Sequence, residues 1–219
     1  MTARVEWLTV AGDLDVWRSI GVVVSDDGHV PLMGAGIRIV ASGEPESGVV
    51  PEPGAAPEAG LVGWALSGVP AELDGGEIDG LRTSVVAAQG PVFAAHEIGA
   101  SGLDHVVVMT PDLDRTSGAI EAATACELKR IREVGEMRQG FHRIGRGGLI
   151  VEVVERPEVP EGPASFWGLV LNVDDLDVAC ERIGPGRVSA PKDAVQPGRR
   201  IATVSADVGL GLPVALMTT

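Results

Sequence analysis

The chain has 219 residues, of which 45% are hydrophobic and 3% aromatic, and it carries a formal net charge of −14. This length is enough for one large domain or two of ordinary size, either of which can bury a core. The charge opposes phosphate backbones and so argues against nucleic acid as a partner, and the absence of an apolar run of about 20 residues predicts no membrane-spanning helix.

The N-terminus and the cysteines predict that the protein is cytoplasmic. The residues from Met1 to Glu6 contain no basic region followed by a long apolar segment, so we expect no secretory signal. Cys126 and Cys180 are then expected to be reduced thiols of a cytoplasmic protein rather than partners in a disulfide.

The N-terminal half, residues 1–100, contains one complete set of predicted elements and one degenerate set. Its apolar and alternating runs predict a helix over 13–20 and strands over 5–10, 22–25, 30–33, 36–41, 61–67, 81–88 and 92–98. Residues 43–60 are rich in Pro, Gly and Glu, so we predict that they form an exposed, mobile loop. No helical pattern separates the strands that flank residues 68–80, which makes the second set degenerate.

The C-terminal half, residues 101–219, is more regular. Its patterns predict helices over 112–127 and 175–183 and strands over 103–109, 128–133, 138–144, 149–155, 166–171, 188–191, 200–205 and 213–217. A tight turn is predicted at 146–148 and a Pro-rich linker at 156–163. This half therefore contains two β-α-β-β-β units, 103–155 and 164–219.

A recurring tripeptide relates these units to one another. Asp-Leu-Asp occurs at 13–15, 112–114 and 175–177, each time after an apolar strand-like run and before a helical pattern, with a weaker copy, Glu-Leu-Asp, at 72–74. An acid in the first turn can cap free backbone amides and suits the helix dipole. We therefore predict that each full copy opens a helix.

Two tandem β-α-β-β-β units with Asp-Leu-Asp helix starts resemble the vicinal-oxygen-chelate superfamily of glyoxalases, extradiol dioxygenases and bleomycin-resistance proteins. The residues that carry the resemblance are Leu103–Asp114, Gly148–Val154 and Phe166–Asp177. The resemblance implies an α+β fold in which tandem units form glyoxalase-like open barrels, with the N-terminal half degenerate.

The resemblance also implies a place for a metal. In this superfamily a divalent ion chelates two adjacent substrate oxygens, and the first and fourth strands of each unit supply its protein ligands. The corresponding residues here are His105 and Glu152 in one unit, but Gly168 and Ala215 in the next, which have no ligand side chain. Because catalytic sites usually have three protein ligands, we expect no metal, or a divalent ion only weakly bound.

His142 is a candidate third ligand. If the hairpin turn consists of the three residues 146–148, His142 lies directly opposite Glu152 on the same face of the sheet. If the turn has two or four residues, a neighbour such as Phe141 takes that place and His142 points away. The sequence leaves both registers open.

His105 and Glu152 could serve as metal ligands, as a catalytic proton-transfer pair, or as a polar contact that lines a binding cleft. Polar groups on such apolar strands are costly to bury alone, so we expect the two side chains to be close together.

Three functions are consistent with the sequence: an enzyme acting on a small oxygen-bearing metabolite, a non-catalytic protein that sequesters such a ligand, and a structural tandem module. A homodimer is a candidate assembly. For Glu6, which matches His105 in the N-terminal half, we predict a structural role.

Overall fold

A computed structural model of the protein describes residues 2–41, 59–90 and 92–219. The loop predicted over 43–60 lies outside these ranges except at its last two residues, and Gly60 already belongs to a strand. Within the described ranges, no helix combines the length and the apolar composition that crossing a membrane requires.

The first sheet comes from the N-terminal half. Its strands, in chain order, are β1 (Arg4–Ala11), β2 (His29–Val30), β3 (Gly36–Val40), β4 (Gly60–Ser67), β5 (Gly76–Ile78) and β6 (Leu81–Val85). Helix α1 (Leu14–Ser19) follows β1, and a 3-10 turn over Ala71–Leu73 follows β4. The spatial order is β2-β3-β1-β4-β6-β5.

The second sheet comes from the C-terminal half. Its strands are β7 (Ala100–Thr110), β8 (Leu128–Val134), β9 (Met137–Arg143), β10 (Ile150–Glu155), β11 (Ser165–Val173), β12 (Lys192–Asp193), β13 (Arg200–Thr203) and β14 (Val214–Thr218). Helices α2 (Leu113–Thr124) and α3 (Leu176–Ile183) follow β7 and β11. The spatial order is β12-β13-β14-β11-β7-β10-β9-β8.

Both sheets follow one plan. The first strand of each unit lies parallel to the last strand of the same unit, in the pairs β1–β3, β4–β6, β7–β10 and β11–β14. The two first strands of each half pair antiparallel, β1 with β4 and β7 with β11. Each sheet is therefore mixed and consists of two tandem units, as predicted. The division of the chain into domains at residue 100 stays a prediction.

The three full Asp-Leu-Asp copies open helices, as predicted. Asp13, Asp112 and Asp175 are the N-cap residues of α1, α2 and α3, and each carboxylate accepts backbone N–H bonds of 2.8–3.1 Å from the first helical turn. Such caps are worth about 1 kcal/mol each. At the weaker copy only the 3-10 turn forms, so the second unit is the reduced one.

Some predicted strands are wrong. Residues 22–25 and 92–98 form no strand, because their backbone bonds go to loops and to a side chain. The amide of Val23 donates to Nδ1 of His96 at 3.0 Å, and the other ring nitrogen of His96 lies 2.9 Å from the Pro31 carbonyl oxygen. The prediction also missed β5, and in the last unit the strand predicted at 188–191 is replaced by β12.

The two halves pack together through β4 and β11. The buried ring of Trp64 contacts Phe166 edge to face, with ring centroids 5.4 Å apart. Asp79 of the first half accepts a hydrogen bond from Arg115 of α2 at 3.0 Å. Cys126 and Cys180 are free thiols, as the sequence predicts.

Candidate functional site

A bulge in β7 brings two neighbouring side chains to the same side of the sheet. Val170 of β11 pairs with His105, but the next residue, Leu171, pairs with Leu103, so Asp104 is an extra residue in β7. In a regular strand, consecutive side chains point to opposite faces, and a bulge removes this alternation locally. Oδ2 of Asp104 consequently lies 2.7 Å from Nδ1 of His105.

Glu152 meets the same histidine from the next strand. In the parallel pairing of β7 with β10, His105 is opposite Ile150 and Val107 is opposite Glu152, so His105 and Glu152 project from the same face. Nε2 of His105 lies 3.4 Å from Oε2 of Glu152, and the two side chains are 12% and 13% exposed. The structure thus brings together the two site residues predicted from the sequence.

Further polar side chains extend this contact on both sides. Gln139 of β9 donates from Nε2 to Oε1 of Glu152 at 2.5 Å. Arg199, from the loop between β12 and β13, donates from Nη1 to Oδ1 of Asp104 at 2.7 Å. We call Arg199, Asp104, His105, Glu152 and Gln139 the His105 network, and the face of the second sheet that carries His105 and Glu152 the His105 face.

Arg199 is held in position by its remaining donors. Nη2 donates to Oδ1 of Asn172 at 2.6 Å, and Nε donates to the Thr218 carbonyl oxygen at 2.5 Å. These bonds fix the planar guanidinium, which can then present Nη1 to Asp104 at little further entropic cost. Asn172 and Thr218 lie on β11 and β14, so the second unit of this half supports a network centred on the first.

The charge on Asp104 determines how the imidazole is oriented. Burial alone would raise the pKa of Asp104, but hydrogen bonds from His105 and Arg199 outweigh it and hold the pKa at about 2. At neutral pH this carboxylate is ionised and can only accept, so Nδ1 of His105 carries a hydrogen. Nε2 therefore faces Glu152.

The residues present do not fit a divalent metal. Nε2 of His105 and Oε2 of Glu152 are two converging donors, 3.4 Å apart, whereas a catalytic metal site usually has three protein ligands. A Cβ added at Gly168 would lie 2.6 Å from the Pro213 carbonyl oxygen, so this position has no room for a ligand side chain. Within the ranges that the structure describes, no group of three His, Cys, Asp or Glu residues is arranged to hold a metal.

Of the two registers left open for His142, the structure has the one in which it points away from Glu152. The hairpin turn comprises the four residues 145–148, because Ile144 still pairs with Leu149 through an N–H···O bond of 2.9 Å. In this register Phe141 lies opposite Glu152, and His142 lies opposite a core valine of β10. A shift of one residue in the turn thus moves His142 to the other face of the sheet.

His142 belongs to the packed side of the sheet. It is 1% exposed, and its Nδ1 donates to the Cys126 carbonyl oxygen at 3.0 Å. Burial lowers the pKa of His142, which keeps the ring neutral. Its place in the fold is therefore structural.

Glu6, the counterpart of His105 in the first sheet, is enclosed by other partners. Its Oε1 accepts from the hydroxyl of Ser67 at 2.5 Å and its Oε2 accepts from the amide of Gln89 at 3.0 Å. The residue is 5% exposed. These contacts agree with the structural role predicted for it.

Sequence reasoning missed the partners of His105. Asp104 precedes His105 directly, so a regular strand would place its side chain on the opposite face, and nothing in the sequence signals the bulge. Arg199 stands in the sequence only as part of a small basic pair with Arg200. Gln139 could have been found from the four-residue turn, because that register places it on the same face as Glu152.

A small cavity adjoins the network. Its volume is about 200 Å³, and its walls include Asp104 and Asn172 from the second sheet and residues 33–35 from the N-terminal half. Arg143, at the end of β9, also lines it. Asp104 of the His105 network therefore borders a cavity.

Comparison with known proteins bears on the fold. No protein-family model and no curated protein sequence matches the chain. Among solved structures, a triple mutant of 4-hydroxymandelate synthase from Streptomyces coelicolor matches over 98% of this chain and 92% of its own, with 15% identity and a TM-score of 0.65. The chain has the vicinal-oxygen-chelate fold.

Two shorter matches have lower scores. Methylmalonyl-CoA epimerase from Mycobacterium tuberculosis covers 55% of this chain and 89% of its own, with 16% identity and a TM-score of 0.47. A variant of the Streptomyces coelicolor epimerase, in complex with 2-nitronate-propionyl-CoA, covers 53% of this chain and 96% of its own, with 20% identity and a TM-score of 0.44. The vicinal-oxygen-chelate assignment therefore rests on the longer match, which confirms the predicted tandem α+β architecture.

Proposed function

We propose that the His105 face binds a small oxygen-bearing metabolite and that His105 and Glu152 exchange a proton with it. The observation that carries the proposal is the contact of 3.4 Å between Nε2 of His105 and Oε2 of Glu152, with ionised Asp104 on the other ring nitrogen. A carboxylate behind an imidazole stabilises its protonated form and orients it, which is what general acid-base chemistry requires.

The chemistry can be written with the chain's own groups. Ionised Glu152 takes a proton from the carbon next to a substrate carbonyl, and Nε2–H of His105 donates to the carbonyl oxygen as negative charge develops there. Returning a solvent-derived proton to the same face of that carbon gives exchange, and returning one to the opposite face inverts its configuration. Gln139 holds the second oxygen of Glu152, which keeps the carboxylate aligned.

One observation favours a second function, a protein that binds such a metabolite without changing it. The members of the His105 network are hydrogen-bonded or ion-paired to one another, so a ligand must compete with internal partners for His105 and Glu152. A fully partnered network stabilises a fold and can line a binding site without taking part in chemistry.

Exchange of carbon-bound hydrogen for deuterium tests the proposal directly. We would incubate a panel of small ketones and 2-oxo acids with the protein in D2O and follow loss of the α-proton signals by NMR. We expect exchange with the wild-type protein and a loss of roughly 100-fold or more in Glu152→Gln and in His105→Gln, as for removal of a general base or acid.

The matched control is Glu133→Gln, an equal change of charge at an exposed position of β8 on the other face of the sheet. It should exchange at the wild-type rate. Binding of panel compounds without exchange would assign the second function instead. Exchange that stops with EDTA and returns with a divalent ion would contradict proton transfer by His105 and Glu152 alone.

A further inference from the structure

Building on the proposed function, we propose that Arg130 and Arg132 of β8 recognise an oxyanion, a carboxylate or a phosphate group, at the far end of the ligand from the carbon that exchanges its proton. The ligand class is thus an elongated, negatively charged carbonyl compound. The proposal depends on the placement of these two arginines relative to the His105 network.

The strand register puts both arginines on the His105 face. Arg130 lies opposite Phe141, which lies opposite Glu152, so these three residues form one row across β8, β9 and β10. Arg132 lies opposite Gln139, the residue that holds Glu152. Residues directly opposite one another in paired strands project to the same side.

The geometry of the row sets the length of the ligand. Neighbouring strands are about 4.8 Å apart, so the backbone of Arg130 is about 10 Å from that of Glu152. Phe141 lies between them, and its ring carries the guanidinium of Arg130. A molecule that reaches both ends needs a chain of several atoms between its carbonyl and its anionic group.

Neither of the two arginines is paired with a carboxylate in the part of the chain that the structure describes. Arg138, on the opposite face of β9, pairs with Asp114 and Glu155 at 3.1 and 3.0 Å. Neither Arg130 nor Arg132 forms an ion pair within residues 2–41, 59–90 and 92–219. In a protein with 31 acidic and 17 basic residues, two neighbouring arginines without a carboxylate are an uncompensated positive site.

Arg130 is also held in a suitable orientation. Its guanidinium carbon lies 4.6 Å from the centroid of the Phe141 ring. Stacking on an aromatic face restricts the guanidinium and leaves its N–H edge free for a bidentate contact with an oxyanion. Arg132 is two residues further along the same strand. Together the two guanidinium groups can contact the several oxygens of a carboxylate or phosphate.

The test uses three synthetic probes: 7-oxooctanoate, its neutral methyl ester, and 6-oxoheptyl phosphate. Binding is followed through the side-chain Nε–H signals of arginine in NMR titrations, with the wild-type protein, an Arg130→Gln/Arg132→Gln double variant, and an Arg156→Gln variant as control. Arg156 is exposed and follows β10, away from the row.

We expect at least one anionic probe to bind the wild-type protein and Arg156→Gln at least 10-fold more tightly than the ester, and to lose that advantage in the double variant. The anion that binds better, carboxylate or phosphate, identifies the natural group. Equal binding of acid, phosphate and ester, unchanged binding by the double variant, or no binding of any probe up to about 10 mM would each overturn the inference.

Failure of the proposed function can be told apart from failure of this inference. If the anionic probes bind through the two arginines but the α-protons of the probes do not exchange in D2O, the oxyanion site is supported and the proposed proton transfer is contradicted. If the ester and the anionic probes exchange at equal rates, and the double variant exchanges as fast as the wild type, proton transfer is supported and the oxyanion site is contradicted.

Discussion

Replacing Asp104 by Asn should show how much the His105 network stabilises the fold. The pKa of Asp104 is lowered from 3.8 to about 2, because hydrogen bonds from His105 and Arg199 outweigh its burial. At about 1.4 kcal/mol per pKa unit, the folded state favours the ionised form by about 2 kcal/mol. Since the side chain is only 9% exposed, solvent screens this interaction little.

The sign of the pH dependence follows from the direction of the shift. A carboxyl whose pKa is lower in the folded state contributes stability that is fully present above its unfolded pKa, near 4, and is lost as the pH falls through its folded pKa, near 2. Asn keeps the shape of the side chain but cannot ionise. The variant should therefore be about 2 kcal/mol less stable at pH 7, and its deficit should shrink towards pH 2.5.

Urea unfolding at a series of pH values between 7 and 2.5 measures both quantities. Asp177→Asn is the control, because Asp177 also pairs with an arginine, Arg200, but at an exposed position. Exposed ion pairs contribute little, so that variant should differ from wild type by at most about 0.5 kcal/mol. A deficit of Asp104→Asn that stays constant from pH 7 to 2.5 would refute the reasoning.

Two further substitutions test the geometry on either face of the second sheet. Gly168→Ala should destabilise the protein by about 1–3 kcal/mol in urea unfolding, because its Cβ would lie 2.6 Å from a backbone oxygen that cannot easily move. Gly118→Ala, in α2 with open space around the new Cβ, should be neutral or stabilising, and equal effects at both glycines would contradict the geometry. His142→Gln should reduce the loss of stability that wild type suffers as the pH falls from 7.5 to 5, because burial lowers the pKa of His142 below 6.5 and protonation favours the unfolded chain. An unchanged pH slope in urea unfolding of this variant would show that His142 is not the titrating group.

The pairing of His105 with Glu152 was predictable because it depends on parity along two strands. Both residues interrupt apolar runs. In the parallel register His105 pairs with Ile150, two residues before Glu152, so the two side chains lie on the same face. The remaining members of the network were not predictable in this way. Asp104 joins through a bulge, and Arg199 reaches it from a loop almost a hundred residues later in the chain.

The sequence by itself determined what depends on nearby residues: the three helix starts, the tandem order of strands and helices, and the places of His105 and Glu152 within it. A capping carboxylate bonds to amides two or three residues away, so its effect does not require the rest of the fold. Only the tertiary structure decided on which face Asp104 and His142 lie. Both depend on the register of paired strands, where one additional residue in a bulge or turn reverses the direction of a side chain.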